Sequence, residues 1–457
     1  MTTGSGTGRP RQDRWRGREA DRAADLVSLL AERLADPRAV AETAARLEEG
    51  VPPGSTGAWV PAGLAAGHPG IALFYGHLAE TEDRHAAVAH RHLLAAMRAV
   101  RTTPPRGLFL GPASVAFAAQ TCGAHTGAYT ALRATLLNWT AEHQVARIDA
   151  ALAGRTGTAE GTYDVVTGIS GLGRVLLDAM DDPAEHTAAV AAATAATMRY
   201  LVRLSRPRSV RGRQVPGWWT SPEQLPLDHD RRRHPDGAVN VGMAHGIAGP
   251  LALLALAARR DVTVDGHLDA IRFLCGWLAD TAVSDEDGPF WPSRVGLSAG
   301  ADEQPVRSRD GWCYGVYGVA TALYHAGTAL NCAEWRALAI RAVRGALARG
   351  TRPTDPYLCH GYAGVLHTVH RLAVAENDAT LLRHAFRLAT EALAFVDGDA
   401  PFVVTAPAHD VATHGYRVCH RAGLLDGAAG LGCAMWTLLV GLDSARTRAW
   451  DRMLLLS

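Results

Sequence analysis

The chain has 457 residues, 48% of them hydrophobic, enough for one large core or a long repeat array folding as a single domain. A formal charge of +1, from 46 basic and 45 acidic residues, argues against a nucleic-acid-binding protein. Seven cysteines, an odd number scattered through a long chain, argue against a disulfide framework and for a reducing cytosol.

Residues 1–18 are rich in Gly, Arg and Thr and lack the apolar core of a signal peptide, so a disordered tail is expected there. No uninterrupted apolar run of about 18 residues occurs, so no membrane-spanning helix is expected. From Glu19 to Ala35, the residues Ala23, Leu26, Leu29, Leu30 and Leu34 recur at the spacing of an amphipathic helix. A Gly-x-x-Gly step then opens an apolar run at Gly67–Gly70. It returns at Gly168–Gly171, Gly246–Gly249, Gly315–Gly318, Gly361–Gly364 and Gly427–Gly430, with a degenerate copy at Gly111–Ser114. Seven copies at comparable intervals make an internal repeat.

Between the copies lie polar-faced helical stretches: Ala86–Val100, Gly127–Leu152, Glu185–Leu204, Val264–Ala282, Cys332–Ala348 and Ala379–Val396. Each unit reads as one apolar helix followed by one amphipathic helix. The first kind must be buried and the second can cover it. The expectation is an all-α fold, an α/α toroid of about seven inner and seven outer helices over residues 19–457. A small insertion is conceivable within 122–162. An open solenoid is the alternative, but it needs polar capping helices that the sequence does not mark. Three longer segments, Arg206–Val239, Ser284–Asp310 and Phe395–Gly423, each precede an inner helix and are expected on one rim as a binding surface.

Aligning the units on their first glycine exposes the chemistry. Cys313 and Cys359 occupy the same offset, two residues before Gly315 and Gly361, and His360 follows the second cysteine. If neighbouring units stack, these three side chains converge. Two thiolates and an imidazole make a soft, tetrahedral-capable set with one position left open, the ligand pattern of a catalytic zinc. Buried structural cysteines beside a core histidine are the plainer alternative. His245 stands in register with His360 and is a candidate acid–base group, or a satisfied core histidine. Asp164 takes the slot four before the first glycine, where Gly63, Gly107, Gly242, Gly311 and Gly423 stand in other units. It is either functional or a helix cap. Arg309, four before Cys313, either serves the site or pairs with an acid on the rim. Tyr314 and Asp426 also fall in register.

The motifs Trp312-Cys313-Tyr314-Gly315, Cys359-His360-Gly361, Gly242-Met243-Ala244-His245-Gly246 and Tyr163-Asp164-Val165-Val166-Thr167-Gly168 together resemble the lanthionine synthetase C-like family of lanthipeptide cyclases. The resemblance runs from about Gly63 to the end of the chain. It implies an α/α toroid with Zn2+ held by Cys313, Cys359 and His360, and catalytic or supporting roles for His245, Asp164 and Arg309. It further implies addition of peptide cysteine thiols to dehydroalanine or dehydrobutyrine, giving lanthionine or methyllanthionine rings. The substrate would be a dehydrated precursor peptide, leader and core. With no dehydratase-like region before the repeat, a separate dehydratase is expected as a partner, and a transporter as a further one, with no nucleic acid. The expected place is the cytoplasm, at the periphery of a membrane-associated biosynthetic complex. Two other readings stay open: a zinc-containing protein that binds peptide, and one that adds a soluble thiol such as glutathione without cyclisation. A toroidal glycosidase would need paired carboxylates at the centre, where Cys and His stand instead.

Overall fold

The structure, a computed structural model, describes residues 15–49, 58–124, 126–154, 157–210, 212–297, 306–350, 352–410, 415–442 and 449–457. The tail expected over 1–18 lies outside these as far as residue 14. Trp15, inside that stretch, is buried and stacks on Phe386 with ring centroids 5.9 Å apart.

Helices dominate. Two open the described chain, α1 (Arg18–Arg33) and α2 (Pro37–Leu47). Then come α3 (His68–Ala79), α4 (Arg84–Val100), α5 (Pro112–Gly123), α6 (Thr130–Ala153), the single turn α7 (Glu160–Tyr163), α8 (Ile169–Ala179) and α9 (Ala188–Leu204). They are followed by the short α10 (Asp228–Arg233), α11 (Ala248–Ala258), α12 (His267–Thr281), α13 (Val316–Ala329) and α14 (Ala333–Ala348), then α15 (Tyr362–Glu376), α16 (Ala379–Ala392) and α17 (Ala428–Val440). The stretch 122–162 is filled mainly by α6.

The sequence dictates which helices go inside. In α11, Ala-Gly-Pro-Leu-Ala-Leu-Leu-Ala-Leu-Ala-Ala, every residue from Ala248 to Ala257 is buried, because no face of it tolerates water. In α16 only Leu381, Ala385, Leu388, Ala389 and Ala392 are buried, one stripe of a helix. Asp378 starts that helix by accepting hydrogen bonds from the backbone N–H groups of Thr380 and Leu381. The apolar helices α3, α5, α8, α11, α13, α15 and α17 pack in that order, and α17 returns to α3, so the ring closes. Each carries an amphipathic helix on its outside: α4, α6, α9, α12, α14 and α16 in turn, and α1 on α17. The α/α toroid is thus formed, and its last pair joins the first described helix to the last inner one.

The loops opening the inner helices are stitched into a circuit. Backbone N–H groups reach the carbonyl of the next loop at Leu64 to Phe109, Phe109 to Val166, Val165 to Ala244, Ala244 to Cys313, Cys313 to Cys359, Cys359 to Leu425 and Leu425 to Ala65, at 2.9–3.4 Å. The repeated glycines make this approach possible. A Cβ on Gly311 would lie 2.7 Å from Cα of His360, and one on Gly318 would lie 2.2 Å from the carbonyl oxygen of Trp312. Ser114, where the repeat departs from glycine, is accommodated because its buried hydroxyl donates to the carbonyls of Ala62 at 2.6 Å and Gly111 at 2.7 Å.

The segments expected on the rim carry short antiparallel pairs. These are β1 (Arg208–Val210) with β2 (Arg213–Val215), β3 (Ala238–Asn240) with β6 (Arg294–Gly296), β4 (Val283–Asp285) with β5 (Gly288–Phe290), and β7 (Ala406–Asp410) with β8 (Gly415–Cys419). Parts of them, at 211, 298–305 and 411–414, lie outside the described residues. The segment Trp450–Leu456 is buried and packs against the inner helices α3 and α8.

Candidate metal centre

Cys313 ends the loop before α13, and Cys359 and His360 end the loop before α15. The bond from Cys313 N to Cys359 O, 3.1 Å, holds those two loops side by side. The Sγ atoms of both cysteines and one ring nitrogen of His360 lie within 4.8 Å of one another, the one such group of three found among the described residues. His360 Nε2 lies 3.3 Å from Asp355 Oδ2, which leaves Nδ1 to face the sulfurs. Asp355 is itself fixed, its Oδ1 accepting from Tyr357 N at 2.9 Å. A carboxylate behind a ligating histidine sets the ring's tautomer and orientation.

The electrostatics suit a cation. A hydrogen bond from Cys359 pulls the Cys313 thiol well below the usual range; burial opposes this, while His360 and the Arg309 charge assist it. Cys359 is held well above its usual value by Cys313 and by burial. A divalent cation between the two sulfurs would favour both as thiolates. Burial disfavours charge on His360, but Cys313, Asp355 and Asp426 outweigh it and raise its pKa. Two sulfurs and one imidazole nitrogen, with a carboxylate behind the imidazole, fit a zinc ion with one position left over.

One loop away stands a second pair. The bond from Ala244 N to Cys313 O, 3.2 Å, sets the loop of His245 against that of Cys313. His245 Nδ1 lies 2.6 Å from Asp164 Oδ2. The other carboxylate oxygen of Asp164 accepts from Thr167 N at 2.7 Å, so this acid caps its turn and holds the histidine at once. The pairing follows from the repeat. The slot four before each first glycine lies against the residue just before the first glycine of the next unit, as Gly311 does with His360 and Gly242 with Tyr314. Unit three has Asp164 in that slot, and it therefore meets His245. Asp164 is buried, whereas the His245 side chain is 38% exposed, with Nε2 free of the Asp164 bond. Burial works against charge on His245, but the Asp164 hydrogen bond and charge, with Glu160 and Cys313, raise its pKa above the usual histidine value.

Arg309 is exposed, and its positive charge favours the Cys313 thiolate. Its backbone carbonyl crowds Gly315, where a Cβ would lie 2.2 Å away; Gly315 also has φ +85°, which favours glycine. Tyr314 lies near His245, ring centroids 6.4 Å apart, and its hydroxyl accepts from Asn240 Nδ2 at 3.0 Å. Asp426 is buried. Burial raises its pKa, the His360 charge opposes this, and its Oδ1 makes no hydrogen bond among the described residues.

Sequence reasoning overlooked three supports. Asp355 could have been noticed as an acid five residues before a ligand-type histidine. Glu160 takes an ion pair from Arg294, whose Nε also lies 3.0 Å from Asp230. Asn240 steadies Tyr314. The last two join distant parts of the chain, and no local signal announces them.

With this geometry in view, the chain can be set beside known proteins. The family model for lanthionine synthetase C-like proteins matches residues 58–455. The nisin biosynthesis protein NisC of Lactococcus lactis subsp. lactis is 23% identical over 208 residues, 45% of this chain and 47% of that protein, so the match spans about half the length of this relative. The solved structure of a nisin cyclase superposes with a TM-score of 0.72 at 18% identity, covering 92% of this chain and 97% of that one. The fold is therefore shared. An unsaturated glucuronyl hydrolase specific for heparin reaches a TM-score of only 0.36 at 12% identity over 82% of this chain, a likeness that carries no argument.

Proposed function

Because the chain belongs to the lanthionine synthetase C-like protein family, we propose that it is a zinc-dependent lanthipeptide cyclase. In this reading it joins peptide cysteine thiols to dehydroalanine or dehydrobutyrine and makes lanthionine or methyllanthionine rings. The observation that supports it most is the convergence of Cys313, Cys359 and His360 within 4.8 Å, one loop from the His245–Asp164 pair.

Cys313, Cys359 and His360 would hold the zinc. When bound, the ion supplies a Lewis acid that lets a peptide thiol, of pKa about 8.5 when free, act as thiolate near neutral pH. Asp164 keeps His245 Nδ1 protonated and the ring aimed, so that Nε2 carries a proton toward the open side of the site. The thiol gives its proton to solvent and the sulfur bonds to the β-carbon. The electron pair of the alkene moves toward the carbonyl, and the α-carbon takes the proton from His245 Nε2. His245 regains a proton from solvent, so thiol and alkene become thioether with no net redox change. Arg309, exposed beside Cys313, holds the carbonyl oxygen as negative charge develops on it. The hairpins of the rim orient the peptide and so select which thiol meets which alkene.

The substrate is a dehydrated precursor peptide, leader and core, supplied by a separate dehydratase, with a transporter as a further partner. The reading places the reaction in the cytoplasm, peripheral to a membrane-associated complex. Among the described residues no helix is long and apolar enough to cross a membrane.

The test measures zinc by elemental analysis in the wild type and in Cys359→Ala, and follows a dehydrated precursor peptide with each by thiol alkylation and mass spectrometry. The expected result is near one zinc per chain, with the metal and the consumption of substrate thiols lost together in the variant. Full zinc in the variant refutes the ligand assignment. Zinc without ring formation refutes the cyclase and returns the reading to peptide binding or to addition of a soluble thiol.

A further inference from the structure

The segment Trp450–Ser457 does more than fill space inside the ring. Trp450, Asp451, Met453, Leu454, Leu455 and Leu456 are each 3% exposed or less. Backbone and charge buried so deeply must find partners, and here they are found on different inner helices. Trp450 Nε1 donates to Thr437 Oγ1 of α17 at 3.0 Å, and the Trp450 ring lies against His77 of α3 and His367 of α15. Asp451 accepts from His367 Nε2 at 2.6 Å and from Arg371 Nη2 at 2.8 Å, both on α15. Arg452 Nη1 lies 3.0 Å from Asp178 Oδ1 on α8. The carbonyl of Leu455 faces His325 Nε2 of α13 at 3.2 Å. The segment therefore ties together five inner helices, α3, α8, α13, α15 and α17, from within.

One further bond leads to the metal centre. Trp312 Nε1 donates to the carbonyl of Leu454 at 2.8 Å, and Trp312 is the residue immediately before Cys313. The indole is fully buried, and the Trp312 carbonyl sits against Gly318, where no Cβ fits. Trp312 is thus fixed at both its side chain and its backbone, one peptide unit from a ligand sulfur.

We propose that Trp450–Ser457 is the floor of the metal centre, and that Trp312 is a positioning residue through which this floor sets the place of Cys313. The proposal rests on the reading of Cys313, Cys359 and His360 as zinc ligands. It adds that the geometry of the set is determined from beneath, by a segment that supplies no ligand. Metal–ligand distances tolerate only about 0.2 Å, so a loosened floor shows first in the metal centre.

The test uses the full chain and Co2+, whose sulfur-to-metal charge-transfer and ligand-field absorption reports both affinity and geometry. Trp312→Phe keeps an aromatic ring but removes the N–H together with part of the indole's volume. Asp451→Asn loosens the segment without touching the Trp312 side chain. Trp291→Phe is the matched control, since buried Trp291 also donates from Nε1 to a backbone carbonyl, that of Leu278 in α12, at 2.7 Å. The expected result is Co2+ affinity lowered about tenfold or more in both Trp312→Phe and Asp451→Asn, with altered absorption bands, and neither change in Trp291→Phe. If Trp312→Phe does not fold, Asp451→Asn against the control decides. Wild-type affinity and bands in the floor variants, with only a lower melting temperature, overturn the proposal, as does an equal loss in Trp291→Phe. Absence of a thiolate charge-transfer band in the wild type overturns the metal assignment itself, and the proposal with it.

Discussion

Replacing Gly311 by alanine tests how the ligand loop is seated. The new Cβ would lie 2.7 Å from His360 Cα, 3.1 Å from His360 Cβ and 3.3 Å from the Cys359 carbonyl oxygen. Carbon atoms rest about 3.5–4.0 Å apart, so the Cys359–His360 loop must retreat by roughly 1 Å. Its neighbours are backbone in a closed hydrogen-bonded circuit, not the free end of a flexible side chain. Overpacking of this kind costs about 1–3 kcal/mol of stability. The proposed metal centre should suffer more, with zinc affinity about 10–100-fold weaker, because two of its three proposed ligands ride on the displaced loop. Competition with a chromophoric chelator measures the affinity, and urea denaturation measures the stability. Gly276→Ala in α12 is the control: its Cβ meets nothing within 4 Å. That change should stabilise the helix by about 0.5–1 kcal/mol and leave zinc alone. Wild-type zinc affinity in Gly311→Ala would refute the argument that this glycine seats His360.

Two further outcomes follow from the titrating groups. Asp164→Asn keeps an oxygen for Thr167 N but removes the charge that raises the His245 pKa. The alkaline limb of the cyclisation rate should move to lower pH with little change in melting temperature, and an unmoved limb rules out His245 as the proton donor. His68 and His92 face each other through Nδ1 at 3.1 Å, and burial lowers their pKa values to about 4 and about 3. Both lie below the ordinary 6.5, so the unfolded chain binds more protons; the stability they confer is complete above about pH 6.5 and is lost as pH falls through about 4 for His68 and about 3 for His92. For His68 alone this amounts to about 3 kcal/mol. His92→Gln should lose less stability than the wild type between pH 7 and 4.5 in urea titrations, and an identical loss in both proteins would contradict the assignment.

Much of this was legible in the chain because the repeat carries it. Each Gly-x-x-Gly step marks a place where one inner helix must approach the next, and counting the steps located the ring of inner helices. The convergence of Cys313, Cys359 and His360 was legible because two cysteines share one offset. The Asp164–His245 contact was legible: the acid stood out against glycines, and the roles implied for the two residues set Asp164 to orient His245 or stabilise its charge, as their 2.6 Å contact allows; only the reason they touch, that this slot faces the next unit, needed the closed ring. The floor left no trace. Trp450–Ser457 has no helical period, and its contacts with Thr437, His367, Asp178 and Trp312 follow from closure of the ring, which no local pattern encodes. Pairing of α1 with α17 was hidden for the same reason, since neighbours in space are here almost a whole chain apart in sequence. The Glu160–Arg294 ion pair spans 134 positions and belongs to the same class.

The filled centre has a consequence for traffic. Among the described residues, Trp450–Leu456 fills space between the inner helices and is at most 7% exposed throughout. For the proposed cyclase, a substrate peptide would then be offered as a bight from the side of the loops that open those helices, nucleophile and acceptor arriving together, rather than threaded past them.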